Sequence, residues 1–202
     1  VGLLFAVAPT GQAQAAAVVN NETELRAALA GSETTIELGA SFTLAATVDV
    51  NRSVAIDGKD FTITGPAKGT EAWEGHGLVV TANNVSISNL TITGSGRSNL
   101  VFYNVTGGSA TYVILSNAAH AGMIVNSSTV TISNVTTTNN AWGGINVDKG
   151  SGLDTEPQLT VSNVTTHTSP GAITPAIWVD KGNAAWVSAD GLYTVVPGTP
   201  LV

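Results

Sequence analysis

The chain has 202 residues and a net charge of −7, from fourteen carboxylates against seven Lys plus Arg, and only 10% of it is charged. That length fits one domain, and a mildly hydrophobic, charge-poor composition excludes both a disordered tail and a coiled coil. Singly scattered basic residues exclude a nucleic-acid or anionic-membrane partner, and the lack of Cys excludes disulfides, thiolate metal sites and a cysteine nucleophile.

In chain order, the first feature is the apolar run Val1 to Ala8, followed by Pro9, Gly11 and the A-x-A triplet Ala13-Gln14-Ala15. This pattern predicts a truncated secretory signal peptide over residues 1–15, and hence a secreted or cell-surface protein. The run is too short to insert in a membrane, which takes about 20 residues. The folded domain is expected over 16–202, continuing beyond 202 because Val202 ends without a cap for an open strand edge. A two-turn helix is predicted over 20–31: Asn21 is placed to cap it, Glu24 to complete a capping box and Gly31 to end it. Leu25, Ala28 and Leu29 form its apolar stripe.

After Gly31 the sequence repeats. An alternating apolar strand runs into Asn in Val85-Ser86-Ile87-Ser88-Asn89, Val113-Ile114-Leu115-Ser116-Asn117, Val130-Thr131-Ile132-Ser133-Asn134 and Leu159-Thr160-Val161-Ser162-Asn163, with an earlier copy at Val54-Ala55-Ile56-Asp57-Gly58. A second strand series runs through Leu78-Val79-Val80, Leu100-Val101-Phe102, Met123-Ile124-Val125, Ile145-Asn146-Val147 and Ile177-Trp178-Val179. The turns lack the Asn-Gly and Asp-Gly pairs of hairpins, so the units wind into a solenoid of about six coils, with insertions at 65–77, 148–158 and 167–175. Asn89, Asn117, Asn134 and Asn163 are expected to stack as an amide ladder at one corner. The ladder also accounts for several of the N-x-S/T triplets that would otherwise read as glycosylation acceptors.

The stretch ETELRAALA, then TTIELGASFTL, then VDVNRSVAIDGKDFTITG and the VxIxN rungs resembles the N-terminal part of right-handed parallel β-helix proteins of the pectate-lyase-like superfamily. The resemblance implies an all-β, right-handed parallel β-helix with a short N-terminal capping helix. It does not fix the chemistry, because the superfamily includes lyases, hydrolases, phage tailspikes and adhesins.

Gly75-His76-Gly77 matches one short motif of the polygalacturonase branch, but the accompanying Asp motifs and Arg-Ile-Lys segment are missing, so it reads as a loop. Asp148 and Asp180 each sit in Val-Asp-Lys-Gly; as equivalent corners of adjacent coils they would lie about one strand spacing, roughly 5 Å, apart and could act as a catalytic carboxylate pair. With Asp154 and Glu156 they could also form a Ca²⁺ site. The competing reading makes each Asp a turn residue. Trp142 and Trp178 are candidate sugar-stacking platforms beside that corner, with Trp178 facing outward. Outward Ser and Thr columns such as Ser88, Ser116, Ser133 and Ser162 resemble the threonine arrays of ice-binding solenoids, which need T-x-T on every coil; the variable intervals argue against one. The expectation is a secreted or cell-surface module that binds or presents itself to polysaccharide or cell-wall glycan, without a demonstrable active site. The alternative is a polysaccharide lyase or glycoside hydrolase acting on acidic polysaccharide.

Overall fold

The computed structural model describes residues 15–162, 164–168, 177–179, 185–188 and 191–194. Within them one helix is followed by strands alone, wound as a parallel β-helix. Residues 1–14 of the expected leader lie outside the described residues.

The helix spans Glu22–Ala30. Its start is the expected capping box: the Asn21 side chain accepts the Glu24 N–H at 2.9 Å, and the Glu24 carboxylate accepts the Asn20 N–H at 2.7 Å. Its last carbonyls would be orphaned, but the Arg52 guanidinium donates to Ala28 and Leu29 at 2.8 and 3.0 Å. Leu25, Ala28 and Leu29 are buried, so the stripe read from the sequence is the face laid on the first coil.

Each coil has three faces. Strands Thr35–Leu38, Ala55–Asp57, Thr129–Ser133 and Gln158–Ser162 belong to the first, and Phe42–Thr43, Thr62–Thr64, Thr136–Thr138 and Val164–Thr168 to the second. The long strands Ser86–Thr93 and Gly108–Ser116 bend across the corner between them and join both faces into one sheet. The third face stacks Val48–Val50, Leu78–Val80, Leu100–Tyr103, Met123–Asn126, Ile145–Asp148 and Ile177–Val179 in parallel, six coils in all among the described residues. Beyond them Ala185–Ser188 pairs antiparallel with Ile177–Val179, and Gly191–Thr194 antiparallel with Val164–Thr168. Inward residues of all three faces form a single cluster running the length of the stack.

The third-face register matches the sequence series at every coil. The first face differs at one point. Ile56, Ile87, Ala110, Ile132 and Val161 are the equivalent residues, whereas Leu115 lies on the second face opposite Ile92 and Thr137. The strand Gly108–Ser116 carries two alternating runs, and only the second ends in Asn, so matching by the Asn rung selects the wrong face.

The Asn ladder is corrected with it. Asn89 and Asn134 share a corner, but Tyr112 stands between them. Asn117 belongs to the next corner, where its partner is Asn139, donating from Nδ2 to Asn117 Oδ1 at 2.8 Å. Asn163 lies outside the described residues. All five corner residues have φ between 50° and 55°, the left-handed region that Asn enters more readily than other side chains. The repeated Asn is therefore set by backbone conformation first and by amide stacking second. Residues 65–77 and 149–157 form the expected loops, while His167 and Thr168 end a strand and the rest of the third insertion is outside the described residues.

Candidate functional site

The corner leading into the third face is made by the loops 65–77, 94–99, 117–122 and 139–144. Backbone hydrogen bonds stack them: Arg97 N–H donates to Gly75 O at 2.7 Å, His120 N–H to Arg97 O at 3.3 Å and Trp142 N–H to His120 O at 3.2 Å. Gly75, Arg97, His120 and Trp142 therefore occupy one position on four successive coils. Two buried amides hold the loops from beneath. Asn99 Nδ2 donates to Ser116 O at 2.9 Å, and Asn140 donates to Leu115 O at 3.0 Å while accepting the Ala118 N–H at 2.9 Å. A fixed loop backbone leaves the side chains of the column free to present chemistry.

The His120 ring stacks on Trp142 with centroids 3.9 Å apart and 7° between planes, and Trp142 is 60% exposed. One face of the indole is thus covered by imidazole. Trp73, from the first loop, meets Tyr103 edge-on at 4.8 Å and lies 6.2 Å from His76. Beside it a groove of about 450 Å³ is lined by Asp49, Trp73, Val79, Thr81 and Tyr103. Exposed aromatic rings rimming a shallow groove suit the apolar faces of sugar rings.

Charge collects at the same place. Arg26 pairs with Glu22, Lys59 with Glu37 and Asp57, and Lys149 with Glu156. Arg52 is spent on backbone carbonyls. Among the described residues, Lys68 and Arg97 are the cations with neither a carboxylate partner nor that capping role, and both act on His120. The buried Nε of Arg97 has no protein acceptor. His76 is buried, accepts the Ser98 N–H on Nδ1 at 3.3 Å, and is pushed down to about 4 by burial and then by Arg97 and His120. Burial, Arg97 and Lys68 also lower His120. Both imidazoles are neutral at pH 7, and Arg97 supplies the positive charge.

Of the residues expected to carry chemistry, the structure places Asp148, Asp154, Glu156, Trp142 and Trp178. Asp148 is the last residue of its strand and accepts from Asn126 Nδ2 at 2.8 Å and from the Gly150 N–H at 2.5 Å, which is the turn geometry. Glu156 is engaged with Lys149, and among the described residues no three of His, Cys, Asp and Glu converge as a metal-binding group. Asp180 lies outside the described residues. Trp142 precedes the strand that Asp148 ends, so platform and carboxylate stand at opposite ends of the third face. Trp178, expected to be exposed, is half-buried and is the register partner of Asn146. Arg97 and His120 were missed because nothing in their local sequences marks them; only the stacking of loops of different length brings them together.

Residues 45–191 match the family model described as right handed beta helix region. The chain belongs to this family. Among solved structures, the right-handed β-helix protein described here is similar to the crystal structure of an alginate lyase from Paenibacillus sp. str. FPU-7. The TM-score is 0.62 at 15% identity, covering 80% of this chain and 60% of that one. At that identity the likeness is one of fold alone. No curated protein matches the chain. Among the described residues no helix is long and apolar enough to cross a membrane.

Proposed function

We propose that this β-helix protein binds an acidic polysaccharide laid along the helix axis, over the Trp73 and Tyr103 groove and the Arg97, His120 and Trp142 column. The observation that carries the reading is the placement of two cations without carboxylate partners, Lys68 and Arg97, beside exposed aromatic faces on a chain of net charge −7. A carboxylated sugar offers both partners at once: a ring to stack on indole and a carboxylate to take the guanidinium fork. Coils repeat at about 4.8 Å, so successive sugars meet successive loops. The leader expected at residues 1–15 supports presentation outside the cell or at its surface.

Affinity electrophoresis of the full chain in gels containing alginate, polygalacturonate or a neutral glucan tests this, with and without Ca²⁺. Arg97→Ala is expected to weaken binding to the acidic polymers about tenfold and Trp142→Ala by a similar factor. Unretarded migration in both acidic polymers, or unchanged retardation of Arg97→Ala, would overturn the reading.

Cleavage is the second reading, and the observation favouring it is the neutral His120 beside Arg97, a base next to a charge that would neutralise a carboxylate. New unsaturated or reducing ends from the acidic polymers, lost in His120→Ala, would establish it.

A further inference from the structure

On the second face the strands Thr62–Thr64, Ser86–Thr93, Gly108–Ser116 and Thr136–Thr138 pair in register without a bulge. Ile63, Ile92, Leu115 and Thr137 point inward, so the residues on either side of each point out. On three of these four coils the outward pair is two threonines: Thr62 and Thr64, Thr91 and Thr93, Thr136 and Thr138. Ile114 and Ser116 hold the remaining coil, and Thr168 continues the second column. The intervals between coils vary, but the variation falls in the loops and leaves this face untouched. The variable intervals therefore do not argue against a repeated T-x-T, which three of these four coils carry.

We propose that this face binds ice. Threonine is β-branched and stiff at χ1, so each one presents its methyl and hydroxyl in one of a few fixed arrangements. The result is a two-dimensional grid of about 4.8 Å across strands and about 6.6 Å along them, repeats close to those of the ice lattice. The columns are tied together: Ser116 Oγ donates to Thr93 Oγ1 at 2.8 Å, and Asn117 Nδ2 to the same oxygen at 3.1 Å. Methyls hold water in cages and hydroxyls fix those cages to the grid, so the hydration layer takes the spacing of the protein.

Charge and ring content select the occupant. None of these outward positions is charged or aromatic, whereas the first face carries the Glu37, Lys59 and Asp57 network and the third-face corner carries the cations and indoles. A charged polymer finds no counter-charge there, and a sugar finds no ring. A neutral, periodic, hydrogen-bonding surface matches every one of these positions but Ile114.

The test is adsorption of the purified full chain to a growing ice hemisphere, with thermal hysteresis and inhibition of ice recrystallisation measured alongside. Incorporation into ice and measurable hysteresis are expected. Thr91→Tyr and, as an independent variant, Thr138→Tyr should each lower hysteresis at least tenfold, whereas Thr131→Tyr on the first face should leave it unchanged. Circular dichroism melting confirms that each variant folds. Exclusion of the unmodified chain from ice overturns the proposal whatever the variants do. So does hysteresis that survives both second-face variants, and so does a face that instead self-associates, seen as concentration-dependent dimerisation abolished by Thr91→Tyr without ice activity.

Discussion

At the corner between the first and second faces each central coil turns through one left-handed residue, Asn89, Tyr112 or Asn134, whereas the corner into the third face spends the loops 94–99, 117–122 and 139–144 on the same change of direction. The tight corner leaves residue choice to backbone conformation. The loose one is held by buried Asn99 and Asn140 and by the backbone stack from Gly75 to Trp142, so its outward side chains are not needed for the turn. Cations, imidazoles and indoles collect where the fold makes no demand on them.

The strongest way to break this contrast is to substitute one residue at each corner. Gly58 stands at the tight corner against Asn89, and a Cβ there would strike the Asn89 carbonyl oxygen and sit 2.6 Å from Leu90 Cβ. Neither neighbour is the end of a flexible chain. Gly58→Val is expected to cost about 3 kcal/mol in urea unfolding, and Trp142→Ala at the loose corner no more than about 0.5 kcal/mol. Equal costs would mean that the loop corner is as constrained as the tight one.

A smaller effect is read by pH. His76 titrates at 6.5 when unfolded and at about 4 in the fold, so on acidification the unfolded chain takes the proton first. Stability supplied by the neutral imidazole is present above 6.5 and is lost as pH falls toward 4. Between pH 6.5 and 4.5 the loss is about 2 kcal/mol. His76→Gln should flatten that part of the stability profile and leave the steeper carboxylate-driven fall below it. An unchanged slope in the variant would show that His76 is not shielded by its loop.

What was legible in the sequence follows the same division. Period and strand pattern gave six coils, the capped helix and the third-face register, because inward residues must be apolar on every coil and so leave a trace. Leu115 and Asn117 were misplaced because Gly108–Ser116 crosses a corner without a break, and alternation alone does not mark the bend. Of the candidate site, only Trp142 stood out in the sequence. Arg97, His120 and Trp142 are 23 and 22 residues apart, but each lies in a loop with no motif of its own, and their common position comes from backbone hydrogen bonds. Asp148 stood out in sequence for the opposite reason, since Val-Asp-Lys-Gly is a strong turn signal and turns are what it serves.

The mildest prediction probes the tight corner from within. Tyr112 has φ 53° and is 61% exposed, so a large ring stands in the left-handed region with most of its surface in water. Asn at that position would meet the backbone with less strain and would put an amide between Asn89 and Asn134. Tyr112→Asn is therefore expected to stabilise the chain by about 1 kcal/mol, seen as a higher melting temperature. Because Tyr112 is remote from the loop column, glycan retardation should be unaffected. A destabilised variant would show that the ring, not the backbone, governs this position, and that the corner is less uniform than its φ values indicate.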